Sequence, residues 1–460
     1  MNDMYLDYRR KSRRRKKGPV ILLLILIAVA IGIGGYYIIK NFVINDNEEY
    51  NEAEDFNDGL SASWLAYDVS ASETSVPGTD TANPSSDNSA GNLGIYGLWT
   101  DTKPKEETKK PEDEFDDEEK WMPDFVDTRK RVDVKGIYIS SAYMIARMDD
   151  ALKLVDRTEL NAVVLDVKSD SGYITYKMDY DVAKEIGATT ANIADINKLI
   201  TDLHNRGIYV IARVVSLKDP ILAEKKPELA LKKNDGSIFR DSSGLAWVNP
   251  YEDGVWEYLT EVCRQCVLSG FDEVNLDYIR FSTDSGMKEV DFGPKAENMS
   301  RIDAITQGIK GIAEVVKPMG AFISCDVYGA IISSSVDAKI VGQSYFNMGK
   351  YLDYICPMVY PSHYGDGYYG LDYPDCHPYE LVFHALMDSQ KVLYMLDPEE
   401  NKAEVRPWLQ DFTASWVRHH LNYGKEEVKD QINAVYDAGY SSWLLWNAGI
   451  KYTEDALIHE

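Results

Sequence analysis

At 460 residues the chain is too long for one ordinary domain and suits a single large domain with appendages. Asp and Glu number 75 against 49 Lys and Arg, and the resulting net charge of -26 argues against nucleic acid as a partner. Five unevenly spaced Cys do not form a disulfide framework, whereas 31 Tyr and 9 Trp are far more aromatic content than a disordered chain carries.

The chain opens with a basic cluster, Arg9–Lys17, within a segment 1–18 expected to stay in the cytoplasm. Pro19 to Ile39 then gives 21 uncharged, mostly aliphatic residues, close to the roughly 20 a helix needs to cross a bilayer. The expectation is an uncleaved single-pass transmembrane helix over residues 19–40, attaching the protein to the cell membrane with the C-terminal domain extracytoplasmic. The rival is a cleaved signal peptide, because Ala28-Val-Ala30 resembles a small-residue cleavage site; the apolar run nevertheless continues to Ile39. Residues 41–130 carry 23 acidic and 7 basic residues and are rich in Ser, Thr, Asn and Gly between Ser61 and Gly94. Low hydrophobicity with high charge reads as a disordered acidic linker.

From residue 131 to the end the pattern alternates β-rich runs with helical stretches. The predicted strands are Val134–Ser140, Ala162–Ser169, Ile208–Val215, Glu273–Phe281, Ala321–Gly329, Leu352–Tyr360, Arg406–Phe412 and Ser441–Ala448. Helices are predicted at Ser141–Arg157, Ile193–Arg206, Tyr251–Leu268, Arg301–Lys317, Pro378–Lys391 and Lys425–Ala438. Eight strands with intervening helices over about 330 residues is the count of an α/β (β/α)8 TIM barrel with enlarged loops. A doubly wound sheet would favour a glycine-rich turn after its first strand, and Ser140-Ser-Ala-Tyr143 offers none. Cys263 and Cys266 form a CxxC inside the predicted third helix with no second pair to complete a zinc site, and read as packing.

In such barrels function sits at the carboxyl ends of the strands. There the sequence places Asp166 and Lys168, Arg213, Asn275 and Asp277, Ser324 and Asp326, Tyr360 with Ser362 and His363, Trp408 and Gln410, and Trp446 with Asn447. Val274, Leu276 and Tyr278 share one face of the fourth strand; Asn275 and Asp277 share the other. The bland reading makes Asp277 an ion-pair partner of Arg280 or of a neighbouring strand. No GxSxG elbow, HExxH helix or Walker loop occurs, and the 7 His are scattered, so neither a metal site nor a cofactor is expected. Two carboxylates on adjacent strands ringed by Trp and Tyr match what glycoside hydrolysis needs: one supports an oxocarbenium-like carbon, one supplies a proton, and flat sugar faces pack on aromatic rings. The expected catalytic pair is Asp277, the nucleophile, and Asp326, the acid. Asp166, Lys168, Arg213, Asn275, Arg280, Tyr360, His363, Trp408, Gln410 and Trp446 are expected to line the substrate.

The run Gly270–Phe281, together with Val134–Tyr138, Leu165–Lys168, Met358–Tyr364 and Arg406–Phe412, resembles a widespread bacterial glycosyl hydrolase domain family, formerly a domain of unknown function. The resemblance covers nearly everything from Val132 onward. It implies a TIM barrel, a polysaccharide or oligosaccharide partner and frequent N-terminal membrane attachment. By the broader pattern of amylase-like barrels it also implies a fourth-strand Asp nucleophile, the position of Asp277. Those barrels carry a Glu on the fifth strand where this chain has Asp326, which leaves the acid open, with Asp166 as the other candidate. The leading expectation is a retaining glycosidase acting on cell-wall or extracellular polysaccharide. The alternative is a non-catalytic carbohydrate-binding barrel that organises the cell surface. A polysaccharide deacetylase would need a metal-binding Asp-His-His set that the His placement does not supply.

Overall fold

The computed structural model describes residues 121–458, except 123 and 399. The basic segment, the apolar span and linker residues 41–120 lie outside the described residues. Among the described residues no helix is long and apolar enough to cross a membrane.

Eight parallel strands carry the fold: β1 (Lys135–Ile139), β2 (Ala162–Lys168), β3 (Tyr209–Val215), β4 (Glu273–Asp277), β5 (Phe322–Tyr328), β6 (Tyr354–Met358), β7 (Trp408–Gln410) and β8 (Trp443–Trp446). Each pairs with the next, and β8 pairs back onto β1, so the sheet closes into a barrel with no free edge. The two-residue period of each strand sorts its side chains. Val274, Leu276, Ile323, Cys325 and Val327 face outward and are fully buried in the shell packed around the barrel. Val164, Ile211, Tyr354, Cys356, Trp408 and Leu444 form a separate apolar cluster that fills the interior.

The helices longer than seven residues are α1 (Ser141–Arg157), α2 (Ile196–His204), α3 (Asp253–Leu268), α4 (Arg301–Val316), α5 (Pro378–Tyr394) and α6 (Lys425–Asp437). Local chemistry sets their starts. Ser300 accepts from the Asp303 amide at 3.1 Å while the Asp303 carboxylate accepts from the Ser300 amide at 3.2 Å, a reciprocal cap that opens α4. Ala304, Ile305, Gly308, Ile309, Ile312, Ala313 and Val316 then bury one face at three- and four-residue spacing. Cys263 and Cys266 are fully buried on α3, and burial pushes the Cys263 thiol up to about 12, in keeping with a packing role.

Most predicted boundaries move by one to three residues, and two of the shifts have a clear local cause. The β4 strand stops at Asp277 rather than Phe281, because Tyr278 takes a left-handed φ of 49° and turns the chain off the sheet. The helix expected from Ile193 starts at Ile196, capped by Asp195, because residues Thr189–Ile193 form a short strand beside Ile174–Tyr176. This added sheet enlarges the β2–β3 connection; its strands are too short to show a period in the sequence.

The floor of the barrel holds a fully buried ion pair. Arg406 Nη1 donates to both carboxylate oxygens of Glu273 at 2.9 Å, and its guanidinium lies 3.7 Å over the Tyr354 ring. Tyr209 Oη (3.0 Å) and Ser324 Oγ (2.5 Å) also donate to Glu273. Beneath this floor runs the segment just before β1. Arg129 donates to both oxygens of Asp353, at 2.9 and 2.7 Å, and to the Ala321 carbonyl at 2.6 Å, with its guanidinium 4.4 Å over Phe322. These partners mark the amino-terminal ends of β5 and β6. Residues 124–130, placed in the linker on sequence grounds, therefore lie against the barrel end opposite its carboxyl-end mouth.

Candidate active site

At the carboxyl end of the barrel, β1 to β5, β7 and β8 bring two polar clusters and the aromatic rings beside them together. Asp166 of β2 accepts from Tyr138 Oη at 2.7 Å and from Arg213 Nη1 at 2.5 Å. Arg213 of β3 reaches on to Asp277 of β4, donating from Nε at 2.8 Å and from Nη2 at 2.5 Å to the same oxygen, Oδ2. Asp277 Oδ1 accepts the Tyr278 amide at 2.6 Å, so the turn after β4 fixes the carboxylate as well as ending the strand. The Arg213 guanidinium also sits 5.4 Å from the Tyr138 ring and 5.8 Å from the Trp446 ring. Tyr138 stacks on Trp446 at 4.3 Å, and Trp408 meets Trp446 edge-on at 5.8 Å.

Asp326 lies on the neighbouring strand. The β4–β5 register pairs Asn275 with Ser324 and Leu276 with Cys325, and one step further it sets Asp277 beside Asp326. Asp326 Oδ1 accepts from Asn275 Nδ2 at 2.8 Å and from Trp408 Nε1 at 2.7 Å. Among the described residues, Oδ2 accepts no hydrogen bond from the protein. Burial pushes the Asp326 carboxyl well above the usual carboxylate range, and the neighbouring negative charge of Asp277 pushes it further. The Asn275 and Trp408 donors and Arg213 oppose this without cancelling it.

These two carboxyl groups therefore differ in kind: Asp277 is tethered by a guanidinium and an amide, whereas Asp326 is drawn towards its protonated form. That contrast is how one fold provides a base or nucleophile and an acid side by side. It has a consequence for stability. A carboxyl whose pKa is raised on folding contributes stability that is complete below its unfolded value near 3.9 and is lost as pH rises through its folded value. Asp326→Asn removes that loss. In urea denaturation between pH 4 and 8, the variant should gain on the wild type as pH rises, by at most about 1.4 kcal/mol per pH unit. A difference that stays constant across this range would contradict the protonated Asp326.

Several residues expected to line the substrate are placed elsewhere. Lys168 does not share the inward face of Asp166: the pairing register shifts between the two, and the Lys168 ammonium turns to Asp219 at 2.9 Å and the Val215 carbonyl at 2.6 Å, fully buried. The bulge, invisible in a two-residue pattern, corrects the expectation. Arg280 is not the partner of Asp277; it donates to the Phe281 carbonyl at 3.0 Å, and its guanidinium lies against Tyr328 (4.6 Å), Tyr278 (5.2 Å) and Trp247 (5.3 Å). Gln410 is committed to structure: its carbonyl accepts from the Ser362 amide and hydroxyl, and its amide donates to Asp375 and the Phe412 carbonyl. His363 is buried behind it, with Nδ1 at 2.9 Å from Ser362 Oγ, and burial lowers its pKa to about 3. It is neutral at physiological pH.

Of the aromatics, Trp408 is 1% exposed and Tyr360 5%, whereas Trp446 is partly open. Trp408→Ala should cost about 3–5 kcal/mol, as deletion of a large buried aromatic does. Trp446→Ala should cost distinctly less and act on binding. Parallel thermal melts check this, and equal losses in both variants would place Trp446 in the core instead. Tyr138 was not among the residues expected here, although inward alternation along β1 points to it, whereas Ser324 was expected at this end of β5. Among the described residues no group of three or more His, Cys, Asp or Glu could hold a metal ion.

Residues 136–452 match the family described as "Putative glycosyl hydrolase domain". The chain belongs to this family. No curated protein matches it. Among solved structures, a hypothetical protein from Ruminiclostridium thermocellum is 34% identical, covering 42% of this chain and 97% of that one, with a TM-score of 0.39. The PgaB (BpsB) glycoside hydrolase domain from Bordetella bronchiseptica is 15% identical over 72% of this chain and 100% of that one, with a TM-score of 0.47. A GH20 exo-β-N-acetylglucosaminidase from Vibrio harveyi is 12% identical over 72% of this chain and 55% of that one, with a TM-score of 0.45. The family match reaches all eight strands of the barrel.

Proposed function

We propose that this glycosyl hydrolase domain cleaves glycosidic bonds by a retaining, two-carboxylate mechanism. The observation that carries the reading is the pairing of Asp277, bound to Arg213, and the buried Asp326 on adjacent strands. Adjacent strands lie about 4.8 Å apart, compatible with the roughly 5–5.5 Å carboxyl separation of retaining enzymes. In the first step Asp326 gives its proton to the leaving-group oxygen as Asp277 attacks the anomeric carbon, and the glycosidic bond breaks as the Asp277–carbon ester forms. Asp326, now ionised, then takes a proton from water, whose oxygen displaces Asp277. Arg213 and the Tyr278 amide orient Asp277 for attack, and Asn275 and Trp408 hold Asp326 by one oxygen, leaving Oδ2 for the leaving group. Because protonated Asp326 is required, turnover should persist above the ordinary carboxylate range and fall as Asp326 ionises.

The substrate class is cell-wall or extracellular polysaccharide, reached from a membrane anchor at residues 19–40 across the acidic linker. This rests on the sequence pattern of those segments. The test is release of reducing ends from a panel of wall glycans and α- and β-linked polysaccharides by the full chain. Hydrolysis of at least one member, lost in Asp277→Asn, supports the proposal. Binding without hydrolysis would favour the second reading, a carbohydrate-binding barrel, for which the Asp166–Arg213–Asp277 network, closed in on itself, is the specific observation.

A further inference from the structure

Beyond the mouth of the barrel, the loop from β7 to α6 carries Trp416, which is 55% exposed. Singly exposed apolar side chains are ordinary on protein surfaces. Trp416 differs in two respects. It stacks nearly parallel on Phe412, at 6.0 Å and 19°, and Phe412 in turn meets Tyr360 edge-on at 5.9 Å. Tyr360 and Trp408 belong to the barrel's interior cluster, against which Phe412 and Trp446 pack. The rings thus make an unbroken series from the candidate catalytic groups out to the surface.

The loop that presents Trp416 is also fixed from both sides. Asp375, on the β6–α5 connection, accepts from the Gln410 amide at 3.0 Å and from the Leu421 amide at 3.2 Å, and its own carbonyl accepts from Tyr423 Oη at 3.2 Å. Within the loop the Tyr423 amide donates to Thr413 Oγ1 at 3.0 Å, and Ala414 is fully buried. An indole held out of the core on a pinned loop loses little conformational entropy when it meets a ligand.

Resting on the proposed glycoside hydrolysis, we propose that Phe412 and Trp416 form a distal sugar-stacking ledge, and that the substrate is a linear polysaccharide bound over several units. Flat pyranose faces suit an exposed indole, and a ledge outside the mouth engages only chains long enough to reach it. Trp416 is therefore a determinant of chain-length preference.

The test is calorimetric titration of the full chain, of Trp416→Ala and of Trp446→Ala with cellohexaose, chitohexaose, maltohexaose and the three corresponding disaccharides. The wild type should prefer a hexasaccharide to its disaccharide. In Trp416→Ala the hexasaccharide-to-disaccharide affinity ratio should fall on the order of tenfold, the scale of one aromatic contact, and the half-exposed position predicts unchanged melting. If Trp446→Ala weakens every length while Trp416→Ala leaves the ratio intact, the ledge is overturned and the catalytic-site reading stands. If no oligosaccharide binds, or neither variant changes binding, the glycan reading of the mouth falls and the ledge falls with it.

Discussion

Asp277→Asn is expected to abolish glycoside turnover while leaving the fold and glycan binding largely intact. The amide keeps an acceptor for Arg213, which retains its second partner in Asp166 at 2.5 Å, so no bare guanidinium is left at the mouth. What disappears is the negative charge that attacks or stabilises the anomeric carbon. Asp326→Asn should behave differently. It removes general acid catalysis, a loss of about 10²–10⁴-fold, and should be mildest on substrates whose leaving groups need no protonation. Steady-state kinetics of both variants on a natural linkage and on an activated aryl glycoside separates the roles. If Asp326→Asn lost as much on the aryl glycoside as on the natural linkage, Asp326 would not be the proton donor, and Asp166 would be the next candidate.

A loss of stability as large as any expected in the molecule lies at the other end of the barrel. Glu273→Ala would leave Arg406 fully buried with no carboxylate partner, and breaking a buried pair from one side costs about 3–5 kcal/mol. Among the described residues its Nε and Nη2 find no hydrogen-bond partner, so Glu273 is the main compensation for the guanidinium beside the Tyr354 ring. Replacing both partners, as in Glu273→Leu with Arg406→Met, should recover most of the loss, because no uncompensated charge remains. Chemical denaturation of the single and double variants measures it. A single variant within 1 kcal/mol of wild type, on the scale of surface substitutions, would contradict the account.

The barrel was legible in the sequence because its two periods are. Runs such as Ala162-Val-Val-Leu165 and the apolar spacing of Arg301–Val316 announce strand and helix locally, and all eight strands fall within one or a few residues of the expected positions. Alternation along β4 and β5 also placed Asp277 and Asp326 on the inward face. What alternation cannot report is a break in itself. The register shift after Asp166 carried Lys168 out of the site, and the left-handed turn at Tyr278 sent Arg280 away from Asp277. Nor does local pattern reveal pairs joined only by closure of the barrel. Glu273 and Arg406 are 133 positions apart, and the Trp408 indole reaches Asp326 from 82 positions away. Nor does it reveal the hydrogen bonds from Asp375 to the loop that carries Trp416.

The most direct measurement of the central claim is covalent trapping. The full chain would be incubated with a panel of 2-deoxy-2-fluoro glycosides bearing activated leaving groups, then digested and mapped by mass spectrometry. A retaining mechanism through Asp277 predicts a fluoroglycosyl adduct on the peptide containing Gly270–Phe281, localised to Asp277 and absent from Asp277→Asn. An adduct on another carboxylate would contradict the assignment, as would hydrolysis of a natural substrate that Asp277→Asn leaves unimpaired.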